Sequence, residues 1–141
     1  MMPDGDAIGY FAGVPYGSLF GHRGFTHSIF FAALLSSTIT FLVFKRDPRW
    51  GWCAAVLFAA TLSHPLLDMF TNGGLGCALF SPFSNDRYFF PWRPIKVSPI
   101  SVIGFFTERG MSVLLSEVGF VWLPSIVLVV CARLIRGRSH A

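Results

Sequence analysis

Six side chains able to ligate a cation fall into three short-range pairs: Asp4 with Asp6, His22 with His27, and His64 with Asp68. The last pair is spaced four residues apart, so on a helix the two side chains sit one above the other on a single face, where both can reach one ion. At about 100° of rotation per residue, Thr61, Thr71 and Asn72 join them on roughly a quarter of the helix circumference. This polar stripe begins only halfway along an apolar segment. A carboxylate in a membrane span costs roughly 2.5–3.5 kcal/mol, so Asp68 needs a ligated ion, a hydrogen-bonding partner or a watery cavity. Pro65 lacks a backbone N–H and is expected to free the carbonyl of Thr61 and kink the helix beside the pair. A hydrogen-bonded pair inside a helix bundle is the plainer alternative for His64 and Asp68.

His22 and His27 lie five apart in His-Arg-Gly-Phe-Thr-His-Ser, a spacing that does not suit one helical face. A turn at Gly24, followed by a helix starting near Thr26 with the Thr26 hydroxyl as cap, would fold His22 back toward His27. Arg23 would then stand beside the turn as a bidentate anion binder. Asp4 and Asp6 sit in a Gly/Pro turn that presents two carboxylates to a hard or borderline cation; the same residues also read as a solvated acidic start of the chain. Glu108 and Glu117 have no ligand-like neighbours, and interfacial solvation is expected for both.

The elements that must position these groups are apolar. Of 141 residues, 53% are hydrophobic and 13% charged, with 16 phenylalanines. The mean hydropathy is +0.60. A soluble domain is nearer a quarter charged, so lipid is the expected solvent for much of this surface. The runs 26–44, 50–70 and 118–135 are each long enough to approach a bilayer crossing, which predicts an all-α integral membrane protein of a single domain with about three transmembrane helices. The glycine-broken segment 1–25 is too irregular to span. Residues 71–100 combine glycines, prolines and aromatics, as befits an interfacial loop. Its 81–99 part is expected to lie over the site with Arg87 and Arg93 facing it. Three crossings place the three pairs on one side, opposite the 45–49 loop and the C-terminal arginines; positive-inside bias favours the latter side as cytoplasmic by six basic residues to five. No basic stripe of the kind nucleic acid requires is visible, and no nucleic-acid partner is expected. Cys53, Cys77 and Cys131 show no paired spacing and read as small buried hydrophobes.

The ordered combination Pro-Asp-x-Asp, His-Arg-Gly-x-Thr-His-Ser, Ser-His-Pro-Leu-Leu-Asp-x-x-Thr-Asn-Gly-Gly and Ser-Pro-Phe-Ser-x-x-Arg, covering residues 3–87, resembles the bacterial and archaeal membrane-bound metal-dependent hydrolases of the YdjM type. The resemblance implies a small helical inner-membrane protein with a divalent-metal centre whose ligands are Asp4, Asp6, His22, His27, His64 and Asp68, with Arg23 and Arg87 nearby. Members of that family usually carry a further helix before Pro-Asp-x-Asp, so the resemblance also implies a chain short at its N-terminus. Mixed nitrogen and oxygen ligands favour Zn²⁺ or Mn²⁺ over Ca²⁺. Two functions fit these residues. One is metal-assisted hydrolysis of a phosphoester or lipid-linked substrate at the membrane surface, with Arg23, Arg87 and Arg93 (and Lys96) binding the anion and membrane lipid as the surroundings. The other is a non-catalytic metal-binding or transport-related protein.

Overall fold

The computed structural model describes residues 2–98 and 102–138; residues 99 and 100, the end of the expected loop, lie outside them. A 3₁₀ turn, Pro3–Asp6, leads into the short helix α1 (Ala7–Phe11). A glycine-rich turn region and a second 3₁₀ turn, Phe25–His27, precede α2 (Ile29–Ile39), which runs on through a π turn, Thr40–Phe44. Helix α3 is Trp50–Met69. After a long segment without regular helix come a 3₁₀ turn, Val102–Phe106, then α4 (Glu108–Glu117), a π turn Val118–Trp122 and α5 (Leu123–Arg138). No strand forms among the described residues; two isolated bridges, Thr71 with Ile95 and Cys77 with Tyr88, tie the 71–98 segment together.

The all-helical class holds, but the count of three spans does not. Among the described residues two helices are long and apolar enough to cross a bilayer: Trp50–Met69, of 20 residues, and the continuous rod Glu108–Arg136, of 29. The expected first span fails on length. Its helix starts at Ile29 because residues 25–27 are taken up by the 3₁₀ turn, and Ile29–Phe44 then reaches only about 24 Å at 1.5 Å per residue, short of the roughly 30 Å apolar core. The cap also differs from the expected one: Ser28 accepts from the Phe31 N–H at 3.0 Å, while the Thr26 hydroxyl is turned toward Asp6. The last helix is longer than 118–135 because α4 extends it out of the apolar stretch, with Gly110 and Val113 buried on one side.

Helices α2 and α3 form an antiparallel hairpin around the 45–49 turn, where Asp47 Oδ1 accepts from the Arg49 N–H at 2.7 Å. Ala32 and Ser36 on α2 and Thr40 at the start of its π turn are buried at four-residue spacing, and small side chains on one face let two helices approach closely. Consequently His27 at one end of the hairpin comes level with the end of α3, where His64 and Asp68 lie, and the basic turn is at the other end. Helix α3 continues through Pro65, whose ring is fully buried. Of the three cysteines only Cys77 is buried; Cys131 is exposed on α5, on the apolar helix surface suited to lipid, and Cys53 is intermediate.

The 71–98 segment is anchored by packing and by one arginine. Met69, Cys77 and Leu79 form a small core with Phe90 against it, and Phe70 stacks on Phe90 at 4.2 Å. The Arg87 guanidinium donates to the carbonyls of His22 (3.1 Å), Tyr16 (2.9 Å), Ser18 (3.3 Å) and Gly76 (3.3 Å). It therefore clamps the 16–23 turn region to the loop. A lysine has no planar fork with which to serve carbonyls in several directions. Arg87→Lys should lower stability by about 1–3 kcal/mol, read as a fall in Tm of the detergent-purified protein; an unchanged Tm would show that the clamp contributes nothing. The crossing of α3 is checked by labelling: in a background with the native cysteines changed to serine, Arg46→Cys and Asp86→Cys should react with an impermeant maleimide from opposite faces of the membrane, and reaction of both from one face would contradict a membrane-spanning α3.

Candidate metal centre

The site begins with a tightly turned backbone. An added Cβ on Gly21 would meet the carbonyl oxygens of Pro15 and Tyr16 at 2.3 Å, and one on Gly24 would meet that of Leu19 at the same distance, so the turn closes only because both are glycine. Arg23 between them is left-handed, with φ 62°. The fold-back expected at Gly24 is present: the His22 and His27 rings lie 5.7 Å apart, centroid to centroid, and the His27 and His64 rings 5.1 Å apart.

Asp4, His27, His64 and Asp68 come together. His27 Nε2 is 3.6 Å from Asp4 Oδ1 and 3.3 Å from Asp68 Oδ2, and His64 Nε2 is 3.1 Å and 3.8 Å from the same two oxygens. Four ligands at about 2.0 Å from a tetrahedral ion stand about 3.3 Å apart; these four separations bracket that value, and all the ligand atoms lie within 4.8 Å of one another. Two of the atoms, His27 Nε2 and Asp68 Oδ2, are buried without a hydrogen-bond partner. An orphaned buried nitrogen and an orphaned buried carboxylate oxygen facing each other are costly unless something charged lies between them. The cluster can hold a metal ion.

Electrostatics point the same way. Asp4, Asp6 and Asp68 surround His27 and the Arg23 guanidinium is their neighbouring fixed cation, so with neutral imidazoles two negative charges are left over, the charge of one divalent ion. Burial would raise the Asp4 and Asp6 carboxyls, but their histidine contacts hold both well below the usual carboxylate range. Burial likewise opposes a charge on His27, yet Asp4, Asp6 and Asp68 push it up to about 10. The field that favours a proton there equally favours a cation.

Asp6 and His22 stand one layer out from that group. Asp6 Oδ1 is 2.6 Å from His22 Nδ1; its Oδ2 lies 3.2 Å from His27 Nδ1 and accepts from the Arg23 N–H at 3.1 Å and the Thr26 hydroxyl. With Nδ1 of His27 held by a carboxylate, Nε2 is aimed at the cluster, the outer-shell arrangement that orients ligating imidazoles. Arg23 is buried and donates to Asp68 Oδ1, Thr71 Oγ1 and the Gly73 carbonyl, all at 3.0 Å; it steadies a candidate ligand. Arg87 is occupied by backbone carbonyls, and Arg93 is exposed and lies over the Phe89 ring at 4.7 Å. Neither of these two lines the cavity beside the cluster.

That cavity, of about 840 Å³, is lined by Asp4, His22, His64 and Asp68 and also by Lys96, Arg109, Glu117, Val121 and Trp122. Arg109 was not distinguished by sequence: it opens the last apolar helix, 41 residues beyond Asp68 and far from every motif, and only the folding of 95–98 against α4 brings it back. His22 shows no hydrogen bond at Nε2 among the described residues, and this second ring nitrogen belongs to a residue that lines the cavity.

No solved structure matches this chain. It is similar to the inner membrane protein YbcI of Escherichia coli (strain K12), with 42% identity over 131 residues, 92% of this chain and 75% of that protein. The match to the YdjM inner membrane protein family runs over residues 1–140, including every residue of the His/Asp cluster and both long apolar helices. The chain is an inner-membrane protein belonging to the YdjM inner membrane protein family.

Proposed function

We propose that this chain is a membrane-bound metal-dependent hydrolase acting at the membrane surface on a phosphoester, with Asp4, His27, His64 and Asp68 as ligands. The observation that carries this reading is the pair of orphaned buried atoms, His27 Nε2 and Asp68 Oδ2, within a shell that opens through Asp4, His64 and Asp68 onto a cavity. A structural site is closed by protein on every side, whereas a site that does chemistry keeps a position for water or substrate. Two imidazole and two carboxylate ligands suit Zn²⁺ or Mn²⁺. Such an ion, when bound, would lower the pKa of a water and stabilise charge on a phosphoryl oxygen.

The chain's own groups do the rest. Asp6 orients His27 through Nδ1, and Arg23 fixes the Asp68 carboxylate through Oδ1, leaving Oδ2 for the shell. Asp6 also holds His22 by Nδ1 at 2.6 Å; this makes His22 the proton-transfer group, relaying a proton at Nε2 between water and the leaving oxygen. Lipid around α3 and α5 limits bulk water to the face that carries the cavity.

Three substitutions separate these roles, each read by metal analysis and by hydrolysis of a generic phosphoester probe. His27→Gln should lose the metal. Asp6→Asn should weaken metal affinity about 10- to 100-fold. His22→Gln should keep the metal and lose hydrolysis by about 10²- to 10⁴-fold; full activity would remove His22 from proton transfer. A wild-type protein that binds metal and hydrolyses no phosphoester would favour the non-catalytic metal-binding or transport reading instead.

A further inference from the structure

The cavity that the candidate ligands line is also lined by two cations with no ion-pair partner among the described residues, Lys96 and Arg109. Their position is built. The Lys96 N–H donates to Ser116 Oγ at 3.0 Å, the Val97 N–H to Asn72 Oδ1 at 3.1 Å, and Ser98 Oγ to Glu117 Oε1 at 3.4 Å. The 96–98 segment is thus pinned between α4 and the residues that follow α3, so Lys96 and Arg109 share one wall. Glu117, which also lines the cavity, accepts from Ser98 Oγ, and the two cations outnumber it. The Nη groups of Arg23 and Arg87 are committed to Asp68, Thr71 and backbone carbonyls and their Nε groups are buried, which leaves Lys96 and Arg109 as the exposed cations that line this cavity.

The same wall changes character along the helix. Arg109 and Trp122 lie on one continuous helical rod, 13 residues and so about 20 Å apart, and Val121, Trp122 and Leu67 give the cavity an apolar side. The rod is longer than a bilayer core, so its Arg109 end stands at the aqueous boundary while Val121 and Trp122 lie toward the apolar stretch. A ligand that satisfies both ends has an anionic head and an apolar tail.

We propose that Lys96 and Arg109 form the anion-recognition wall of the site, and that its substrate is a phosphate-bearing membrane amphiphile whose head sits between these cations and the ligand cluster while its chain follows Leu67, Val121 and Trp122 toward the bilayer. This rests on the hydrolase reading for the reaction but not for binding. Guanidinium and ammonium groups facing one phosphate give charge-assisted hydrogen bonds from one side, and the cluster attracts it from the other once a cation is bound.

The test uses the full chain in detergent, loaded with Mn²⁺, and compares short-chain phosphatidic acid, the diacylglycerol of the same chain length, and inorganic phosphate by equilibrium binding. Phosphatidic acid should bind most tightly. Lys96→Gln and Arg109→Gln should each raise its Kd by about tenfold, with metal content and the weak diacylglycerol binding unchanged, and Lys96→Arg should retain affinity. Both glutamines replace exposed side chains, and unchanged metal content reports an intact fold. The proposal is overturned if the double variant binds phosphatidic acid as wild type does, if diacylglycerol binds wild type equally well, or if inorganic phosphate binds as tightly as the amphiphile, which would make this a free-phosphate site. Failure of the hydrolase reading looks different: phosphatidic acid would bind in a Lys96- and Arg109-dependent way with no turnover.

Discussion

The carboxylate of Asp6 is the interaction on which the site's geometry depends. It takes His22, the Arg23 backbone N–H, Thr26 and His27 at once, so one side chain gathers four groups from six consecutive residues. A five-residue spacing cannot bring two histidines to one helical face, and the glycine turn alone would leave the segment free to open. Desolvating Asp6 costs free energy, and its partners more than offset that cost, as the depression of its carboxyl pKa indicates. The segment therefore folds around a charge rather than around an apolar core, which explains why a fully buried His27 sits beside so few large buried hydrophobic residues.

A membrane makes such a polar centre affordable only in one place. Helix α3 carries apolar residues through most of its length and reaches His64 and Asp68 in its final turns, where a charge can meet water and other polar elements. The glycine turn, the start of α2 and the Arg87-clamped loop all meet at that end of the hairpin. Exposed Phe83, Trp92, Ile103 and Phe106 extend from the same connecting segments, and aromatic and apolar side chains of this kind favour the headgroup region.

Some of this was legible from spacing. The i, i+4 relation of His64 and Asp68 and the turn at Gly24 both follow from local geometry, and the structure brings those side chains together. The division of the six candidates into an inner four and an outer Asp6–His22 pair was not legible, because residue type alone does not say which nitrogen of an imidazole a carboxylate will hold. Thr26 was expected as the cap of α2, but its hydroxyl is held by Asp6 and Ser28 caps the helix instead. The first apolar run overestimated its helix, since hydropathy does not register that residues 25–27 are needed for the turn. Arg87 and Arg93 were read as anion binders from charge and location, yet the donors of one are used by carbonyls and the other turns onto Phe89.

Helix length supplies the last constraint. The rod Glu108–Arg136, of 29 residues, exceeds a bilayer core of roughly 30 Å by about two and a half turns, and its described apolar side chains from Leu123 onward are exposed, so lipid rather than protein is their natural surrounding. Its surplus length is used at the end nearest the site. There α4 buries Gly110 and Val113 and receives the Lys96 segment on Ser116 and Glu117. A span cut to 118–135 would remove Arg109 and Glu117, which line the cavity together with Asp4, His64 and Asp68. The extra turns are therefore best understood as part of the site, in the same sense as the turn at Gly24: each brings a charged group to a place that the apolar pattern of the chain does not reveal.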